Sequence, residues 1–328
     1  MVYESAAGLG GKHHLHRSAY AILRAMKCGP RSRGFTIVEV LIVLGVSSLI
    51  FAAVAVTLTG RQNRTEFDQS IQDVQSRIQQ IVNNVGAGYY ANNGHFQCNA
   101  SSTVSPTPPS ISAGVNNQGA NQGCVFMGDV VQFGATDTVP PGQSRVFTVV
   151  GRQWQGAETV NADSVVPTSY TQAAPIAIAK TSAGDPTPDG TTIMPLLYGL
   201  QLVKAYYGPS TSPTAISGVA FLSSLTGYGS GNALISGSQQ VVAVPISTGG
   251  VSGTDKYTMA NAINSDLATN ADEVVSSTSN SLQQAMEQYG VSLCFASTGS
   301  DQSGLITIGS NGHALSVTLS VMDDTTCT

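Results

Sequence analysis

A chain of 328 residues has room for one or two domains. Only 10% of it is charged and the formal net charge is −5, which disfavours nucleic-acid binding by phosphate neutralisation and is far below the quarter or so typical of soluble domains. The abundance of Gly, Ser, Thr, Asn and Gln suits a β-rich extracytoplasmic domain better than a cytosolic enzyme.

The chain opens with a basic segment. Residues 1–34 carry Lys12, Arg17, Arg24, Lys27, Arg31 and Arg33 against Glu4 alone, a formal +5. Positive charge before an apolar run marks the cytoplasmic side of a membrane. Met26 offers an internal start, which would leave Met26–Gly34 as a compact basic leader. His13, His14 and His16 fall in this leader and read as solvated residues, because a zinc site needs a folded shell.

From Phe35 to about Gly60 the sequence is almost wholly apolar. Twenty-six helical residues would extend about 39 Å, enough for a hydrocarbon core of about 30 Å. The run is too long for the core of a secretory signal. It holds one carboxylate, Glu39, and an ionisable group at membrane depth is expensive enough to mark function. A plain signal anchor explains neither Gly34-Phe35 nor Glu39.

Beyond Arg61 the pattern becomes amphipathic. Phe67, Ile71, Val74, Ile78, Ile81, Val82 and Val85 recur at helical spacing, with Gln, Asp and Arg elsewhere. This predicts one helix of about 50 residues, stopped by Gly86-Ala87-Gly88.

The stretch Arg33-Gly34-Phe35-Thr36-Ile37-Val38-Glu39, with its basic leader and apolar run, resembles the processing and assembly signature of the type IV pilin superfamily. The likeness covers residues 26–88 well and the rest loosely. It implies an α+β fold: a long N-terminal α-helix, transmembrane in its first half and amphipathic in its second, packed on a β-rich, disulfide-tied head. The implied divisions are a leader at 1–34, a membrane or filament-core helix at 35–60, an amphipathic helix at 61–88 and an extracytoplasmic head at 89–328. A prepilin peptidase would cut between Gly34 and Phe35, the new amine of Phe35 would be N-methylated, and Glu39 would pair with the Phe35 amine of a neighbouring subunit. One departure is that the run lacks the mid-helix proline common in pilins; Gly45 and Ser47-Ser48 are its soft points.

The implied function is that of a structural subunit, a minor pilin or pseudopilin, with no enzymatic activity and no cofactor. Its partners would be other pilin or pseudopilin subunits, the peptidase, the assembly platform and membrane lipid, without nucleic acid. It would sit in the cytoplasmic membrane with its head outside, then in a surface filament. A tip adhesin or DNA-uptake pseudopilin is the alternative, and a membrane-anchored hydrolase a more distant one.

The remainder reads as short strands broken by Gly, Ser, Asn and Pro: Val125–Phe133, Arg145–Gly151, Pro175–Lys180, Leu196–Tyr206, Gln239–Pro245, Val291–Ser297, Gly304–Ile308 and Ala314–Val321. Ser310-Asn311-Gly312 is a hairpin turn signal between the last two. A helix is expected from about Lys256 to Tyr289, broken near Ser276–Ser279. Asn99–Gln122 and Ala183–Thr192 read as surface loops.

Cys28 falls in the leader. The other four, Cys98, Cys124, Cys294 and Cys327, are an even set in a translocated domain and suggest two disulfides. Of the three possible pairings, Cys98–Cys124 and Cys294–Cys327 are favoured. The first would clamp the Ser/Pro/Asn-rich loop and the second would tie the last strand to its hairpin.

No catalytic constellation stands out. His95 and His313 lie in no metal-spacing motif, and no G-x-S-x-G elbow occurs. Asp185 and Asp189 are weak calcium candidates in a Pro/Asp/Gly segment, a turn composition first of all, and Asp323-Asp324 is weaker still. Trp154, Tyr206, Tyr207 and Tyr228 read as core or rim aromatics before interface anchors.

Overall fold

The computed structural model describes residues 34, 36–88, 96–99, 108–114, 124–133, 142–152, 167, 169–180, 182, 184–185, 187, 189–224, 241–246, 256–275, 281–297, 302–310 and 315–323. The chain divides into two compact units, one ending at Thr57 and the other running from Leu58 to Thr328. Helix α1, Ile37–Gly86, is 50 residues long. It passes unbroken through Gly45 and Ser48, whose hydroxyl donates to the Leu44 carbonyl at 2.8 Å. It ends as expected, with Gly88 at φ 66 and its N–H donating to the Val85 carbonyl.

In the first unit the described side chains from Ile37 to Val56 are solvent-exposed, Ser47 alone being half-exposed. Ile37 is 80% exposed and Phe51 75%. The most apolar 18-residue window has a mean hydropathy of 2.6 and nothing in it is buried. By length and composition the helix is able to cross a membrane.

Among the described residues the second unit holds thirteen strands and three further helices besides the rest of α1. Strands β1 (Phe96–Asn99) and β2 (Ser110–Ala113) form a two-stranded ribbon. A six-stranded antiparallel sheet runs β10 (Val241–Ile246), β9 (Gly218–Ser223), β3 (Cys124–Gln132), β4 (Gln143–Arg152) and β5 (Ile176–Ala177), with β6 (Thr191–Pro195) also on β4. A five-stranded antiparallel sheet runs β13 (Leu315–Asp323), β12 (Gln302–Ser310), β11 (Val291–Ser297), β7 (Leu200–Tyr207) and β8 (Thr214–Ala215). Helices α2 (Tyr170–Ala173), α3 (Lys256–Val275) and α4 (Ser281–Gln288) complete it.

The amphipathic stripe of α1 is the element both sheets share. Phe67, Ile71, Val74, Ile78, Val82 and Val85 are buried in one cluster with Val131, Phe221 and Val241 of the larger sheet and Leu293, Phe295, Ile306 and Ile308 of the smaller one. Side chains of α1 also bond to chain turns and strands: the Ser70 hydroxyl donates to the Leu197 carbonyl at 2.8 Å and the Gln75 amide to the Val317 carbonyl at 3.0 Å. The far face of the larger sheet is covered by α3. Val130, Phe147, Ala220, Leu222, Val242 and Val244 pack there against Ala260, Ile263, Leu267 and Ala271. Strands buried on both faces need apolar residues at every position, so β9 and β10 read as continuous runs without alternation.

Several strands differ from their sequence reading for local backbone reasons. The expected strand Pro175–Lys180 shrinks to β5, because α2 precedes it and ends with Ala174 in the left-handed region at φ 46, ψ 62. The expected strand from Leu196 starts instead at Leu200. Tyr198 (φ 51) and Gly199 (φ 71) form a turn there, which passes the chain from β6 in one sheet to β7 in the other. Strands β1, β2, β8 and β9 and helix α2 have no counterpart among the expected elements; β2 lies inside the expected loop Asn99–Gln122, and β6 begins inside the expected loop Ala183–Thr192. The C-terminal helical stretch is described as α3 up to Val275 and α4 from Ser281; the expected break at Ser276–Ser279 lies outside the described residues. The Ser310–Gly312 turn extends outside the described residues, but β12 and β13 pair antiparallel around it from Ser310↔Leu315 onwards.

Glycine is required at the bulge in β3. Gly128 has φ 152, and a Cβ there would run into the Phe221 backbone carbonyl on β9.

Next to that bulge, Asp129 lies opposite Thr148 on β4 and Phe221 on β9. Burial raises its pKa to about 6, against a lowering contribution from the Thr148 hydrogen bond. A carboxyl whose folded pKa exceeds its unfolded value binds more protons in the folded state between about pH 4 and 6, so its contribution to stability falls as pH rises through that window. Asp129→Asn should therefore raise the melting temperature at pH 7, by the equivalent of about 2 kcal/mol, and leave little gain at pH 4. Thermal melts of both proteins at the two pH values check this; an equal shift at both would exclude a titrating Asp129.

Candidate processing and assembly site

Helix α1 begins with a local cap. The Glu39 N–H donates to the Thr36 hydroxyl at 3.3 Å and to the Thr36 carbonyl at 3.0 Å, and the Val40 N–H to the same carbonyl at 3.2 Å. Thr36-Ile37-Val38-Glu39 thus has the spacing of a capping box, with Thr36 at the N-cap and Glu39 three residues on. Read as a lone charge in an apolar run, Glu39 gives no hint of Thr36; the T-x-x-E spacing is the signal that would have found it.

The Glu39 side chain is exposed and, among the described residues, its carboxylate has no hydrogen-bond or ion-pair partner. In the first turn a negative charge meets the positive end of the helix dipole, worth typically about 0.3–1 kcal/mol. That local gain is small beside the cost of placing an unpaired carboxylate in hydrocarbon, several kcal/mol. Wherever the helix is dry the carboxylate therefore needs a cation or a proton, or must reach the membrane edge.

Gly34 is described and exposed, and among the described residues a Cβ added to it would meet nothing within 4 Å. Neither packing nor a left-handed backbone within the monomer demands glycine at this position. Phe35 lies outside the described residues.

In the second unit a disulfide joins Cys98 of β1 to Cys124 at the start of β3, with 26 residues of sequence separation and the Cα atoms 6.1 Å apart. It fixes the β1–β2 ribbon to the starting end of β3, a central strand of the larger sheet, beside a small core of Phe96, Cys98, Val150 and Ile178. Cys294 is also disulfide-bonded. Cys327 lies outside the described residues.

The other candidates are not brought together. Asp185 accepts from the Thr187 N–H at 2.8 Å and hydroxyl at 2.6 Å, and Asp189 accepts from the Thr191 hydroxyl at 2.8 Å. These are turn-forming contacts of a Pro/Asp/Gly segment. Among the described residues no group of three or more His, Cys, Asp or Glu side chains is placed to hold a metal ion. Tyr207 packs against the main core and Tyr206 lies 5.5 Å from the Lys204 ammonium. His95, His313, Trp154, Tyr228 and Asp324 lie outside the described residues.

Another carboxylate has an architectural task that the sequence did not reveal. Asp272 on α3 accepts from the Tyr170 N–H at 2.6 Å, the Thr171 N–H at 2.8 Å and the Thr171 hydroxyl, holding the N-terminus of α2. Burial, then the Asp272 charge, pushes the Tyr170 phenol up; its hydroxyl donates to the Ser223 carbonyl at 3.0 Å.

Residues 29–55 match the sequence model of the prokaryotic N-terminal methylation motif, the type IV prepilin-like cleavage and methylation motif. The match spans Gly34, Phe35 and Glu39. No curated protein and no solved structure matches the chain.

By the loop-entropy relation a closed loop of this size stabilises by about 3 kcal/mol. Replacing both Cys98 and Cys124 by serine should lower the stability of the second unit by about that amount, read by denaturant unfolding. An unchanged midpoint would show that the ribbon holds without its bridge. Peptide mapping without reductant should find Cys98 joined to Cys124.

Proposed function

We propose that the chain is a type IV pilin-like structural subunit, a minor pilin or pseudopilin, matured by a prepilin peptidase and assembled through the first half of α1. The observation that carries this is the exposed apolar helix Ile37–Val56 with a single unpaired carboxylate, lying almost wholly within the matched methylation motif at residues 29–55. Each exposed Leu, Ile, Val or Phe forgoes about 1.5–3 kcal/mol of burial, so the stretch is stable only in lipid or against other helices. A helix apolar on all sides suits both environments in turn.

Each segment of the chain then has its own task. Residues 1–34 are the cytoplasmic leader, removed between Gly34 and Phe35. Residues 35–60 anchor the precursor in the cytoplasmic membrane and then pack in a filament. Residues 61–88 join this stem to the head, 89–328, outside the membrane. That Gly34 has no structural requirement for glycine supports its being read by an enzyme, which needs close approach to the backbone. Cleavage frees an ammonium on Phe35, N-methylated in the mature subunit. Glu39 on a neighbouring copy pairs with it, which sets the axial register of one helix against the next. The Cys294 disulfide closes on Cys327.

Assembly needs the pair and maturation does not. Glu39→Val should leave the mature-length band intact and reduce sheared filaments by more than about tenfold, since breaking a desolvated ion pair costs several kcal/mol. Normal filament yield in that variant would refute the pairing. Gly34→Leu should abolish the mature band on an immunoblot, and a processed product would argue against cleavage at this bond.

A further inference from the structure

One face of α1 in the second unit is neither core nor charged surface. Gln72, Gln75, Gln79, Gln80, Asn83 and Asn84 line, with Ser76, an open groove of about 580 Å³. Among the described residues no ionisable side chain lines it. The charged pair Asp73–Arg77, 2.7 Å apart, lies to one side of this row. The Gln75 amide is bonded to the Val317 carbonyl on the edge strand β13, so the groove runs beside that strand. The Gln72, Gln80 and Asn84 side chains have no partner among the described residues.

Primary amides offer a donor and an acceptor each and match other amides, on a backbone or a side chain, without charge. An open groove without an aromatic or a charged group is poorly made for a small ion or a sugar ring, and well made for an extended, neutral, amide-rich peptide. The same chain contains such a segment: residues 115–123, with Asn116, Asn117, Gln118, Asn121 and Gln122 and no charge. It lies between the end of β2 and Cys124, whose disulfide fixes one of its ends. The lengths agree: Gln72 to Asn84 is about 18 Å of helix, and five or six extended residues span the same distance.

We propose that the amide groove on α1 receives residues 115–123 of a second copy of this chain, as a lateral contact between heads in the filament. This rests on the subunit reading above and adds to it a second point of contact, made by neutral amides rather than by the Phe35–Glu39 ion pair. Such a contact is insensitive to salt, in contrast to charged surface pairs.

The test uses filaments of the full-length protein with the photoreactive p-benzoyl-phenylalanine in place of Gln79, assembled in cells that hold heavy- and light-isotope copies together after a shift of medium. Expected are cross-links from position 79 to the peptide spanning 115–123, with heavy and light chains joined. Cross-links confined to one chain, cross-links to other peptides, or none from sedimentable filaments each overturn the contact while leaving the subunit reading intact. If the unmodified protein gives no filaments, the subunit reading falls and this contact with it. A charge exchange supplies a second readout. Gln79→Lys should lower filament yield severalfold and the added Gln118→Glu should restore it. No rescue, with both chains folded and processed, would refute the pairing.

Discussion

The structure depends on the change of pattern along one helix. From Ile37 to Val56 helix α1 exposes apolar side chains all round, and from Phe67 to Val85 it buries one stripe and exposes amides elsewhere. Water tolerates the second pattern and rejects the first. The first half therefore requires a non-aqueous surrounding, and the second half requires a folded partner. The match to a methylation motif falls on the first half, where Glu39 is the single charge.

The second half of α1 organises the sheets of the second unit. Its stripe supplies their common surface, so neither sheet closes its core without it. The larger sheet then needs a cover on its other face, which α3 provides. The smaller sheet carries Ser292, Thr307, Ser316, Thr318 and Ser320 among its half-exposed or exposed positions. This layering explains why β9 and β10, buried on both faces, read as continuous apolar runs. Helix α1 also bonds to backbone carbonyls of the second unit, through Ser70 to Leu197 next to the Tyr198-Gly199 turn and through Gln75 to Val317 on the edge strand β13.

Legibility in the sequence tracks the length scale of the signal. The 50-residue helix, its stop at Gly88, the helical residues of α3 and α4 and the strand Val291–Ser297 are readable, since each rests on periodicity or on turn residues within the element itself. Strand β9 is not, though its run Val219–Leu222 is apolar, because six residues between loops carry no period that separates strand from coil. The turn at Tyr198-Gly199 is hidden because a tyrosine in the left-handed region is not a turn signal. Asp129, Asp272 and the cap at Thr36 escape notice for another reason: what each does depends on groups brought beside it by the fold or on which helix end it occupies.

By itself the sequence determined the greasy stem, its lone acid, the basic leader and the order of local elements, because hydrophobic period and charge placement are properties of consecutive residues. Only the tertiary structure decided which strands share a sheet, that one helical stripe serves both sheets, that Cys98 meets Cys124, and that a row of amides is left as an open groove. Those outcomes depend on contacts between residues far apart in the chain, and no local pattern encodes which distant surface will be the one to cover another.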